Sequence, residues 1–570
     1  MIISAIVPYR RSWLVLGSLC ACLSLHFAEA DTTAVTVTIT KRAPIAIMET
    51  DGSIGAMSEA KMGARYALVS SDGQHVIVQD DQGARYRVSQ SATDYVATIP
   101  ATASPASSAA TTANVPVPSP TAATNAPSTT APTQTPSTPG NGSAVTEDSV
   151  AAINKGIGKP FFSTQDFWKE PALLIAQRIG LKLEDKTKWE TAYRRYFYGP
   201  DLTYAPASIL GGNAYCIALY ADANDVLTSA LIAFTNDGDY KGVDVLLSKI
   251  THLKHPTDKP APDTDKQIAD LQAQADALEA AFEKDRRTEE QAITKNLTAL
   301  FGEPKRTNFG SNAVSRENVL RWDWNGVSFL LTGQEDKYNL LRIVPTNLAD
   351  NRGRSERIPR DEMAAKLSDG VEHRPNGDIV ITQLPMADQG LKGYCVPATW
   401  ERVLRYTGVP GDMYSLSRIG AAGFGGGESG GNVANQLDDV LHDYGRKAEF
   451  VNIDQIDAHS LRKYLDKGIP VFWSVNPEGY APSEQRAAVC DRDKNWDGWK
   501  KLLEQSRAPT TKSPAPLPFF GGHQVLITGY NPETKEIAWS DPWGRNTQER
   551  WMTQEEATRC SLGQFYIITW

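Results

Sequence analysis

From Tyr95 to Thr146 the 570-residue chain carries no charged side chain, and Ala, Thr, Pro and Ser dominate. Such a stretch buries too little apolar surface to offset the entropy of ordering, which predicts a flexible, partly extended linker. A chain interrupted in this way does not close around one core. Its length points the same way, because single cores stop growing near ~250–300 residues. Ahead of the linker, Arg10 and Arg11 precede an apolar run from Trp13 to Phe27 that ends in Ala28-Glu29-Ala30. That is the layout of an export signal cleaved after Ala30. Tyr9 to Leu14 matches a twin-arginine signal only in part, as Leu19 to Cys22 does a lipoprotein site, so the plain secretory reading is preferred. No other run reaches the ~20 apolar residues of a membrane span. The expectation is a secreted or periplasmic chain: signal peptide (1–30), small β module (31–94), linker (95–146), mixed α and β region (147–350), connector (351–378) and C-terminal domain (379–570).

Within the first module, Val35 to Thr40, His75 to Val78 and Tyr86 to Val88 are short alternating runs between glycine and acidic turns. They predict a small all-β barrel. The pattern resembles the Src-homology-3-like barrels attached to exported bacterial enzymes, which implies a peptide or wall-polymer ligand; a spacer without a ligand is the alternative. In the middle region, Phe167 to Tyr198 has helical stretches rich in aromatics, and Ala214 to Phe234 has strand-like runs around Cys216. Ile268, Leu271, Ala275, Leu278 and Phe282 recur at spacings of three and four, the stripe of a long helix. Gly302-Glu303-Pro304 stops it, and Val319 to Trp324, Val327 to Leu331 and Leu340 to Val344 follow as a strand meander.

The chemistry concentrates in the last third. Gln389 stands six residues before Cys395, which opens an apolar, helix-like run. An amide donor and a backbone N–H can together hold the negative charge that acyl transfer places on a carbonyl oxygen. A helix N-terminus beneath the sulfur favours its anion. Downstream, Gly521-Gly522-His523 leads into the apolar run Val525 to Ile527, and a turn-rich link, Asn531 to Lys535, precedes a second strand-like run ending at Asp541. A hairpin of these two runs puts His523 and Asp541 near the same end, where a carboxylate can fix the imidazole tautomer. His373, His442 and His459 sit among polar residues instead. The bland alternatives are a core cysteine, a core histidine and an aspartate capping a turn.

Gln389, Cys395, His523 and Asp541, with Cys395-Val396-Pro397-Ala398, resemble the papain-like cysteine peptidases, and among them the bacteriocin-processing (double-glycine) subgroup. The resemblance covers roughly residues 380 to 570. It implies an α+β catalytic domain in which Cys395 attacks, His523 transfers protons, Asp541 orients His523 and Gln389 stabilises the oxyanion. Papain itself has Trp after the nucleophile and Asn as third member, where this chain has Val396 and Asp541; nothing in the chain resembles the transporter portions of bacteriocin-processing peptidases. The expected activity is peptide hydrolysis. The rivals are amidase or transpeptidase action on wall peptides and a non-catalytic binding protein on the same fold.

Around this set, Gly423 to Gly431 reads as a glycine-rich loop bordering the cleft, with Gly425, Gly426, Gly427 and Trp543 as substrate-contact candidates; a phosphate loop would need a preceding strand that is missing. Asn432 to Tyr444 reads as a helix and Val471 to Val475 as a core strand, while Asn476 to Pro518, with Trp496 and Trp499, is placed over the cleft. Fifty-eight Lys and Arg against 67 Asp and Glu, a net charge of −9, argue against nucleic-acid binding. No Cys and His pairs have zinc spacing, and no cofactor is expected. With Cys395 kept as a thiol, Cys490 and Cys560 are the expected disulfide pair, both lying in the C-terminal region.

Overall fold

The computed structural model describes residues 145–184, 193–198, 206–240, 263–390, 392–422, 430–507 and 521–570, short strands within 36–94, and a few isolated positions. The expected export signal, nearly all of the linker, and Gly425 and Gly426 lie outside the described residues. Two compact units are present, one within Pro8–Pro139 and the other from Gly140 to Trp570. No helix among the described residues is long and apolar enough to cross a membrane.

The first unit holds β1 (Thr36–Thr38), β2 (Ala43–Met48), β3 (Ile54–Ala60), β4 (Arg65–Ser71), β5 (His75–Gln79) and β6 (Arg85–Ser89). They form one antiparallel sheet in the order β1-β4-β5-β6-β2-β3. Alternation buries Val37, Val76, Val78 and Val88 together on one face. Among the described residues no pairing joins β3 to β1, so the expected small barrel is not shown closed.

The second unit begins with helices Glu147–Ile157 and Ala172–Ile179, followed by β7 (Lys182–Leu183) and β8 (Tyr193–Tyr198). The helical expectation for Phe167 to Tyr198 therefore holds only in part. Tyr193-Arg194-Arg195-Tyr196-Phe197-Tyr198 is a strand, in keeping with the fit of aromatic side chains to a pleated surface. β9 (Ala207–Ile209) and β10 (Gly212–Ala214) make a small ribbon. β11 (Cys216–Asp222) and β12 (Leu227–Asn236) precede the long helix Thr264–Phe301, and β13 (Lys305–Phe309), β14 (Glu317–Trp324), β15 (Val327–Gln334) and β16 (Tyr338–Pro345) follow it. The order β13-β14-β15-β16-β12-β11-β8-β7 is antiparallel throughout. One face, with Ile217, Ile232, Phe329 and Ile343, packs on the helices; the long helix contributes Ile293 and Leu297. The other face, with Ala218, Tyr220, Leu231 and Leu340, packs on Tyr394, Ala398, Met413 and Tyr414. Burial on both faces is why β11 and β12 are nearly continuous apolar runs.

The last third forms a second sheet from β17 (Val371–His373), β18 (Ile379–Ile381), β19 (Lys447–Phe450), β20 (Val471–Val475), β21 (His523–Asn531), β22 (Glu536–Ser540), β23 (Arg550–Thr553) and β24 (Ser561–Thr569). Its order is β17-β18-β21-β20-β24-β19, with β22 bridging β21 and β23. The core beneath it joins Trp400, Val403 and Leu404 of the helix Cys395–Tyr406 to Phe472, Val525, Ile527 and Trp539. Three expectations change here. Asn432 to Tyr444 is split between helices Gly430–Gln436 and Asp438–Asp443. The helix Trp496–Ser506 does not overhang the cleft: buried Trp499 donates from Nε1 to Glu536 Oε1 at 2.8 Å, at the end of β22 far from Asp541. Cys490 and Cys560 form no disulfide, and they pack in different clusters because Cys490 sits with Trp499 and Trp551, Cys560 in the main core.

Candidate active site

Cys395 is the first residue of the helix Cys395–Tyr406, which Tyr394 precedes as cap. Pro397 is tolerated in this first turn because the N–H it lacks would have had no helical acceptor there. Cys395 stands at the positive end of the helix dipole, which directs positive potential at the sulfur. The helix is tied to the hairpin on both strands. Thr399 Oγ1 donates to the carbonyl of Gln524 at 3.0 Å, and Arg402 donates to Ser540 Oγ at 2.5 Å. Gln524 follows His523 and Ser540 precedes Asp541, so these bonds carry the register of β21 and β22 directly to the helix of Cys395.

The hairpin pairs Asn531 with Glu536 at its turn and Leu526 with Ser540 near its open end. His523 Nε2 lies 2.9 Å from Asp541 Oδ1. Asp541 is held by its own turn, its N–H donating to Thr547 O at 3.0 Å and its carbonyl accepting from Thr547 Oγ1 at 2.8 Å. His523, engaged by Asp541 through Nε2, also shares a side-chain hydrogen bond with Cys395. Burial disfavours the imidazolium, but the charge and hydrogen bond of Asp541, then Cys395, override it and push the His523 pKa up to about 10. A protonated His523 beside Cys395 is the arrangement that stabilises a thiolate.

Gln389 is buried on the loop before the helix. Its backbone N–H donates to Pro542 O at 2.8 Å, joining this loop to the Asp541 turn, and its Nε2 donates to Lys392 O at 3.1 Å. A carbonyl only accepts, so Lys392 O sets which way the amide faces, and Nε2 carries a second proton besides the one it gives to Lys392 O. Of the substrate-contact candidates, Trp543 is 43% exposed and meets the His523 ring edge-on at 6.2 Å. Gly427, at φ +86°, donates to Gly393 O at 3.0 Å, which brings this glycine of the glycine-rich loop beside the loop that precedes Cys395. Sequence reading missed the residues of the middle sheet that touch this loop: Glu184, Asp237 and Asp239 each contact the segment from Asp388 to Tyr394. Nothing in their local sequence signals it.

Residues 380–565, which contain all four of Gln389, Cys395, His523 and Asp541, match the model of the Peptidase_C39 like family. This segment thus belongs to the papain-like superfamily and has a cysteine-peptidase-like fold. Neither the curated proteins nor the solved structures gave a match.

Proposed function

We propose that the protein is a cysteine peptidase in which Cys395, His523 and Asp541 hydrolyse peptide bonds and Gln389 is an oxyanion donor. The observation that carries this reading is the imidazole of His523, 2.9 Å from Asp541 and hydrogen-bonded to Cys395 at a helix N-terminus. The thiolate attacks the peptide carbonyl carbon, a C–S bond forms, and the π electrons move onto oxygen, where the Cys395 N–H and Gln389 Nε2 hold them. As the C–N bond breaks, His523 gives its proton to the departing amine. Water then attacks the thioester while His523 takes its proton; a C–O bond forms, the C–S bond breaks and Cys395 leaves as thiolate. Further proposals are export, supported by Arg10, Arg11 and the run to Ala30, and a peptide or wall-polymer ligand for the N-terminal sheet, supported by its tether.

The test is mass-spectrometric identification of products from a synthetic peptide library, with Cys395→Ala as control. Paired fragments that together contain one added water, absent with Cys395→Ala, are the expected result. Products joined to an added amine instead of water would assign a transpeptidase. Wild-type turnover by Cys395→Ala, or none by the native chain, would overturn the reading.

A further inference from the structure

The loop that carries Gln389 and leads to Cys395 is gripped at both ends by residues that lie far earlier in the chain. At its start, the backbone N–H of Asp388 donates to Glu184 Oε1 at 2.5 Å, and Glu184 is itself paired with Arg195 of β8. At its end, Lys392 Nζ lies 3.1 Å from Asp239 Oδ1, with side chains only 2% and 3% exposed. Asp237 accepts from the Tyr394 hydroxyl and from Lys337 Nζ, the latter at 2.9 Å. Both aspartates belong to the turn that follows β12. Gly238 between them is required by close approach: a methyl group there would lie 2.8 Å from Lys392 Cδ and 2.9 Å from the Tyr394 ring.

A buried ion pair is weak evidence for stability, since desolvation offsets most of the attraction. Lys392 has a second task, because its carbonyl is the group that orients Gln389. We propose that Asp239 is a positioning residue of the active site: by holding Lys392 it fixes the carbonyl that aims Gln389 at the oxyanion, so the sheet β7 to β16 is a working part of the catalytic centre. This rests on the peptidase reading and adds that oxyanion stabilisation depends on the middle sheet.

Two reactions of Cys395 separate positioning from mere structural support. Acylation by p-nitrophenyl acetate passes through an oxyanion: the C–S bond forms, the C–O bond breaks and p-nitrophenolate leaves. Alkylation by iodoacetamide displaces iodide and forms none. In the full chain, Asp239→Asn should slow acylation about 10-fold or more, in the range for a displaced oxyanion donor, and leave alkylation of Cys395 within about twofold of wild type. Asp239→Asn combined with Gln389→Ala should be no slower than Gln389→Ala alone, because the two changes remove one interaction. Asp239→Glu should restore part of the acylation rate. Should Asp239→Asn fail to fold, Gly238→Ala, which keeps every charge, should give the same split between the two reactions. Unchanged acylation, equal loss in both reactions, or additive effects with Gln389→Ala would overturn the proposal. If the native chain shows no acylation that Cys395→Ala abolishes, the peptidase reading itself fails, a result distinct from any of these.

Discussion

The two halves of the candidate site are held in opposite ways. His523 and Asp541 sit on neighbouring strands whose turn is only a few residues away, and pairing through Asn531 and Glu536 places them 2.9 Å apart. The loop from Asp388 to Tyr394 has no such local partner; its buried anchors, Glu184, Asp237 and Asp239, lie up to 204 residues away in sequence. His523 and Asp541 are thus set by hairpin register, whereas the loop before Cys395 is held both by the hairpin, through Pro542, and by docking against the middle sheet. The hairpin half should tolerate changes in the middle sheet, and the nucleophile half should not.

The largest effects come from removing the reacting group of either half. Cys395→Ala should abolish acylation by p-nitrophenyl acetate, and His523→Ala should lower it by ~10³-fold or more with folding intact, because no other group attacks or carries the proton. Rates near wild type in either variant would break the comparison at its base. Next, Gln389→Ala should cost ~10²-fold, the loss of one oxyanion donor, while leaving the pH profile in place. A loss below about threefold would remove Gln389 from the oxyanion site.

Asp541→Asn tests the hairpin half and should act on pH. His523 in the folded chain is raised to about 10 from the ordinary 6.5, so the stability of its protonated form is complete below the unfolded value and is lost as pH rises through about 10. On a peptide substrate the same deprotonation would remove the acid that the departing amine needs and so set the alkaline limb of the rate profile. Asp541→Asn removes the largest attraction holding that proton, so the limb should move toward lower pH, with a rate loss of ~10-fold or more. An alkaline limb that stays in place would show that Asp541 does not govern His523. The smallest effect is expected from truncation: a chain beginning near Glu147 should keep the wild-type rate on this small ester, since the sheet β1 to β6 belongs to the other compact unit. Loss of activity there would make the N-terminal sheet part of the site.

What could be read in the sequence follows the same division. The hairpin was legible because Val525 to Ile527 is a strand-like run and Asn531 to Lys535 is turn chemistry a few residues on. The helix of Cys395 and the meander β14 to β16 were legible for the same local reasons. Lys392 and Asp239 were not: each looks like a surface charge until the fold joins them across a sequence separation of 153. Tyr193 to Tyr198 read as helical because its place in the sheet comes from pairing with β11, and Trp499 was placed over the cleft because its partner Glu536 belongs to a distant strand. The barrel expectation rested on alternation, which specifies strands and not how a sheet closes.

The central claim, a thiolate and imidazolium pair at Cys395 and His523, is tested most directly by competitive labelling. All four described cysteines are buried and outside any disulfide, and burial pushes the thiols of Cys216 and Cys560 up to about 12 each. Trace iodoacetamide at mildly acidic pH, followed by mass spectrometry of the native chain, should label Cys395 first and His523→Ala should remove that preference. Labelling of Cys216, Cys490 or Cys560 ahead of Cys395, or an unchanged Cys395 rate in His523→Ala, would contradict the account.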